Sequence, residues 1–297
     1  MTLTAPDLRL RSLYGRSSPG SRINEDGLGL LGHSAWIIDG ATGLSIEQLT
    51  KGGSDAAWLA RAINEILEEQ AATGSSGAML LHQLEADLRL AFEAATTHLP
   101  GRHAHHAPSA CLGLIQVRQA GAGRVRAEGT FLGDVVALVP SERGVARWTD
   151  ERAKPFERKT LAALNPEAHE PEAHEPGRLP EAVRRQILEN RTKLNQPDGY
   201  WVVSPSLPFA GCALRFEAQV ELGAPIVLAT DGFMRLVDVF RAYTDHSLHA
   251  ALAAGRGDVL MDELRALERD DLLSRAYPRV KTHDDATVLV IAAQTGG

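Results

Sequence analysis

Cysteine is scarce in this chain of 297 residues: Cys111 and Cys212 are the only two, and they stand far apart. Two such residues supply neither a disulfide framework nor a zinc site of their own. Both sit among apolar neighbours, so the expected state is a buried free thiol. Long apolar runs are also missing. No stretch approaches the ~18 residues that a membrane-spanning helix needs. The opening MTLTAPDLRLRSLYGRSSPG is broken by Asp7, Arg9 and Arg11, which leaves no apolar core for a signal peptide. Basic stretches are lacking too, and the formal net charge is −7. Without a basic patch, nucleic acid and anionic membrane surfaces drop out as expected partners. The expected compartment is the cytoplasm.

What is present is a full core. Hydrophobic residues make up 44% and charged residues 23% of the chain, the balance of a globular protein. Strand-like segments at 7–14 and 23–39 come first, the latter broken at Gly32-His33. Two amphipathic helices are expected next, one from an N-cap at Ser54 and one from about Ala78 to His98, ended by Pro100-Gly101. Strands return with SACLGLIQV, RVRAEGTFLG and DVVALVP. From about 147 to 211 the character changes. This stretch holds the tandem repeat PEAHEPEAHEP, too rich in proline and charge to order itself, flanked by short helices near 157–164 and 180–191. GYWVVS, CALRFEAQV and APIVLAT read as strands again, helices follow between about 231 and 276, and ATVLVIAA closes the chain as a buried strand. Grouped strands and helices of this kind point to α+β layers in a single domain, 1–297, with a flap inserted at about 147–211.

Acids mark the strand ends. A two-residue turn at Gly32-His33 would set Asp26 opposite Asp39, with Cβ atoms ~4.5–5.5 Å apart. Two like charges at that distance repel by roughly 3 kcal/mol at an effective dielectric of 20. Such a pair must be solvated, share a proton or hold a cation. Taken singly, an acid at a strand end most simply faces water. The device recurs, however: Asp231 follows IVLAT, Asp134 falls within the strand-like FLGDVVALV, and Asp284-Asp285 precede the last strand. Oxygen ligands gathered in this way suit Mg²⁺ or Mn²⁺. A His-rich tract at His103, His105 and His106 reads as a solvated loop, and Lys51-Gly52-Gly53-Ser54 lacks the spacing of a phosphate loop. Tyr200 and Trp201 read as packing residues.

In order, RINEDG, IIDGATG, FLGD, ATDGFMRLVD and HDDATVLVI resemble the five motifs of the metal-dependent protein phosphatases of the 2C type, across residues 22–291. The resemblance implies a four-layer α-β-β-α sandwich of two antiparallel sheets flanked by helices. It implies a phosphoserine/phosphothreonine protein phosphatase that hydrolyses phosphomonoesters with a hydroxide bridging two Mn²⁺ or Mg²⁺ ions. Asp39 would bridge the ions, with the Gly40 carbonyl, Asp231 and Asp284 completing the set. Asp26 would hold water in the same cluster, with Glu25 supporting it, and Asp134 matches the acid that takes a third, weaker ion. Arg22 would bind the substrate phosphate.

The chain departs from the family pattern at several points. Ala41-Thr42-Gly43 replaces the usual glycine pair, and no histidine follows Asp39-Gly40 as a general acid. No arginine follows Gly133-Asp134, and Arg22 is one position closer to Glu25-Asp26 than in many bacterial members. Two alternatives stay open: a pseudophosphatase acting as a regulatory binding module, and a phosphoesterase for small molecules on the same metal centre.

Overall fold

The computed structural model describes residues 8–41, 48–51, 53–97, 107–121, 123–164 and 180–295. Strand β1 (Leu8–Ser18) is followed by a hairpin of β2 (Asp26–Leu31) and β3 (Ser34–Ala41). The hairpin turns at Gly32-His33, and its register pairs Asp26 with Asp39, as the two-residue turn requires. β3 is an almost unbroken apolar run because both its faces are covered. Ile37 points into the space between the two sheets, while Trp36 and Ile38 point outward under helices. Each such side chain contributes about 1.5–3 kcal/mol on burial.

Helix α1 (Asp55–Ala72) starts where expected, with Ser54 Oγ accepting the Ala57 N–H. Its stripe of Ala56, Leu59, Ala60, Ile63 and Leu67 packs on β3. Helix α2 (Gly77–Thr96) adds Leu80, Leu81, Leu84 and Leu88 to the same layer. Strands β4 (Ser109–Gly121), β5 (Arg124–Leu132) and β8 (Leu214–Glu221) complete one antiparallel sheet in the order β2-β3-β4-β5-β8. The other sheet contains β1, β6 (Val136–Ser141), β7 (Gly144–Trp148), β9 (Ile226–Ala229) and β10 (Ala286–Thr295), in the order β1-β10-β9-β6-β7. Its outer face is covered by α5 (Asp231–Asp238), α6 (Asp245–Ala253) and α7 (Gly257–Asp270). Three apolar clusters therefore alternate with the layers, one between the sheets and one under each helical layer. This is the expected four-layer α-β-β-α sandwich.

The flap region contains α3 (Lys154–Ala162) and α4 (Glu181–Arg191), close to the expected short helices. Asn190 Nδ2 ties them together through Phe156 O at 3.0 Å and Thr160 Oγ1 at 2.9 Å. Three expectations need correcting. The strand expected from Asp134 starts at Val136, and Asp134 lies in the preceding turn. Gly133 takes φ +75° there, and a Cβ on it would run into Cys111 Sγ, so the strand cannot continue through it. GYWVVS is not a strand, although its alternation imitates one. The Asn195 side chain instead takes both backbone groups of Val202, by Val202 N–H to Oδ1 at 2.9 Å and Nδ2 to Val202 O at 3.0 Å. Both cysteines are free, as expected, but each is only half-buried. Thr42, Gly43, Gly52, Pro100-Gly101, the histidines of 103–106 and the PEAHE repeat lie outside the described residues.

Candidate metal centre

The acids converge at one end of the sandwich because each stands where a strand stops. Asp26 and Asp39 close the β2–β3 hairpin, and Asp134 sits in the β5–β6 turn. Asp231 is the first residue of α5, directly after β9, and Asp284-Asp285 precede β10. Asp26 joins the two sheets. Its Oδ2 accepts from Thr230 Oγ1 at 3.0 Å and from Thr287 Oγ1 at 2.7 Å, both at the ends of strands in the opposite sheet. Gly232 explains one of the Asp-Gly pairs. A Cβ at that position would run into the Asp285 carbonyl, so glycine lets the start of α5 approach the 284–285 loop.

Asp285 organises the segment leading to Asp26. Its two carboxylate oxygens accept the backbone N–H groups of Gly20 and Glu25, both at 2.7 Å. This places Arg22 on the rim of a cleft of about 350 Å³, lined also by Ser21, Ile23, Lys281, His283 and Asp284. Arg22 is exposed and, among the described residues, pairs with no acid. Glu25 turns away and receives the hydroxyl of Ser54. A larger, shallower hollow of about 810 Å³ lies at the opposite end of β5 and β6, around Arg124, Pro140, Arg143 and Glu221. It gathers no acidic cluster and is remote from the residues above.

The electrostatics show what the cluster lacks. Burial raises the Asp26 carboxyl to about 7, assisted by the charges of Asp285 and Asp231 and opposed by its two threonine hydrogen bonds. Burial, then repulsion from Asp134 and Asp284, raises Asp231 to about 7 as well. Asp231 is open to water at its surface yet ringed by protein beneath, within hydrogen-bonding reach of Asp39. Asp39 is pushed well up by burial and then by Asp231, Asp26, Asp134 and Asp284 in turn. Two negative neighbours act on each of Asp26 and Asp231, and four act on Asp39.

Two residues that sequence reasoning did not select stand beside Asp134. Glu157, on flap helix α3, is raised to about 8 by burial and then by the charge of Asp134 and a hydrogen bond with it. Nothing in the charged ERAKPFERKT segment signals this, since the contact is made across the fold. Cys111 faces Asp39 across the β3–β4 pair, and its thiol is pushed well up by burial and the charges of Asp134 and Asp39. A thiol in such surroundings is unreactive.

The donor set is oxygen throughout, and its mutual repulsion is what a divalent cation removes. In that chemical sense the residues fit Mn²⁺ or Mg²⁺. As they stand, no three acid, imidazole or thiol side chains among the described residues close on one point. Their oxygens are lent elsewhere: Asp26 to threonines, Asp284 to Arg235 and Lys281.

No family model and no curated protein sequence matches the chain. Solved structures do match in fold. The catalytic domain of the serine threonine protein phosphatase PstP, in complex with 2 manganese ions, is 16% identical with a TM-score of 0.53, covering 96% of this chain and 99% of that one. The PPM Ser-Thr phosphatase MsPP from Mycobacterium smegmatis, in complex with cacodylate, is 15% identical with a TM-score of 0.52, covering 97% and 99%. A bacterial serine phosphatase is 12% identical with a TM-score of 0.53, covering 99% of each chain. At these identities the likeness establishes the fold: the chain has the two-sheet sandwich of the 2C-type, metal-dependent phosphatases. Among the described residues no helix is long and apolar enough to cross a membrane.

Proposed function

We propose that this chain is a metal-dependent phosphatase of the 2C type, acting on phosphoserine and phosphothreonine in proteins. The observation that supports it best is the group of acids from five separate segments at one end of a fold shared with such phosphatases, with Asp26, Asp39 and Asp231 raised by burial and by the charges of the others. Asp39, the Gly40 carbonyl, Asp231 and Asp284 would hold two Mn²⁺ or Mg²⁺ ions, and Asp134, with Glu157 next to it, would serve a third. Two such ions supply Lewis acidity toward phosphate oxygens and make water nucleophilic at neutral pH.

The chain's own residues do the rest. Asp26, aimed by Thr230 and Thr287, orients water through its remaining oxygen lone pairs. Arg22 offers a guanidinium at the cleft rim, matched to two phosphate oxygens at once. His283 lines the same cleft, its Nδ1 held 3.0 Å from Glu268 Oε2. Flap helix α3 reaches the same acids through Glu157, beside Asp134.

The test is hydrolysis of an aryl phosphate and of a phosphothreonine peptide, with Mn²⁺, with chelator, and with Asp231→Asn. Turnover that needs Mn²⁺ and falls at least about 100-fold in the variant is the expected result. Equal turnover after chelation would sink the proposal. A folded protein that binds Mn²⁺ but turns over neither substrate would favour a binding module, and turnover of nucleotide phosphates alone would favour a small-molecule enzyme.

A further inference from the structure

We infer that Lys281 is a tethered counter-charge of the carboxylate cluster, which a divalent ion must displace in order to bind Asp284. The inference rests on the metal-site reading above and adds a residue which that reading does not contain. Lys281 stands three residues before Asp284, in the loop between α7 and β10, and its Nζ lies 2.9 Å from Asp284 Oδ1. The other oxygen of Asp284 accepts from Arg235 Nη2 at 2.7 Å.

These two cations differ in how they are held. The Arg235 side chain is 8% exposed and is fixed from behind by the fully buried Glu268, 2.8 Å from its Nη1. The Lys281 side chain is 59% exposed, on a four-carbon stem with no second anchor among the described residues. Asp284 therefore carries one permanent cation and one exchangeable cation. A dication and this ammonium compete for the same carboxylate oxygen, and neither shares it without repulsion. Lys281 also lines the cleft beside Arg22 and His283, so the ammonium released from Asp284 lies next to the proposed phosphate position.

The experiment is calorimetric titration of Mn²⁺ into the metal-free full chain, for the wild type, Lys281→Met, Lys281→Arg and Asp39→Asn. Lys281→Met is expected to bind Mn²⁺ roughly fivefold more tightly than the wild type, the upper range for so exposed an ion pair. The gain should shrink at about 0.5 M salt, where the ammonium is screened. Lys281→Arg should bind like the wild type, and the metal-free Lys281→Met protein should melt at a lower temperature. Unchanged or weaker binding by Lys281→Met, with binding still lost in Asp39→Asn, overturns the counter-charge and leaves the metal centre standing. Equal tightening in Lys281→Arg also overturns it, because the charge is then irrelevant. No Mn²⁺ binding even by the wild type overturns both readings.

Discussion

Two groups of charged residues meet at Asp284, and they solve the same problem in opposite ways. On one side Asp26, Asp39, Asp134 and Asp231 crowd together, and among the described residues none of them forms an ion pair with a base. On the other, buried Glu268 receives Arg235 at 2.8 Å, Arg265 at 2.6 Å and His283 at 3.0 Å. Arg279, 3% exposed, holds Asp271 at 2.8 Å. Asp26 and Asp271 make the contrast measurable. Desolvation raises both, yet Asp271 falls to about 2 because Arg279 and three backbone N–H groups bond to it, whereas Asp26 climbs to about 7. Burial alone therefore decides neither. The partner decides: the first group has hydroxyls and one another as partners, while the second is paired with bases. Paired charges hold the frame, and the remaining acids are those which the proposed function assigns to a divalent cation.

The contrast breaks most severely at Glu268. Glu268→Ala strands Arg235 and Arg265 in a buried setting, and chemical denaturation should show a loss of about 3–5 kcal/mol. A loss under about 1 kcal/mol would mean that these charges are not mutually dependent. Glu268→Gln, which keeps some hydrogen bonds, should cost less than the alanine variant.

A smaller effect is expected from pH. Asp26 and Asp231 have folded-state values raised above their unfolded ones, so the folded chain keeps protons which the unfolded chain has released. Their contribution to the stability of metal-free protein is fully present below about pH 4 and is lost as pH rises through about 7. Thermal melts between pH 5 and 8 should show a decline of order 2 kcal/mol, discounted for the solvent that reaches Asp231. Saturating Mn²⁺ should flatten that slope, and an equal slope with and without Mn²⁺ would argue that no ion occupies the cluster.

The smallest effect belongs to Ser54, which caps α1 and donates to Glu25. Ser54→Ala should cost about 1 kcal/mol in stability, with Ser54→Asp recovering the cap.

Local rules were enough for the elements nearest to the site. The alternation on either side of Gly32-His33 set the hairpin, and the two-residue turn then paired Asp26 with Asp39. Ser54 marked the start of α1, and the apolar run of ATVLVIAA marked β10. The failures were of one kind. Asp134 was read inside a strand on the apolar residues to either side of it, although Gly133, at φ +75°, ends the extended run just before it. GYWVVS alternated like a strand, but the Asn195 side chain took the backbone bonds a neighbouring strand would have needed.

What the sequence by itself determined is thus the set of local conformations and the five acids at strand ends. Those follow from backbone sterics and side-chain periodicity within a few residues. Only the tertiary structure decided which charges are answered and which are not. It brought Glu157 of the flap to Asp134, set Arg235 and Lys281 on Asp284, and gave Glu268 to three bases. Electrostatic partners are chosen by distance in space, and spacing along the chain carries no record of that distance.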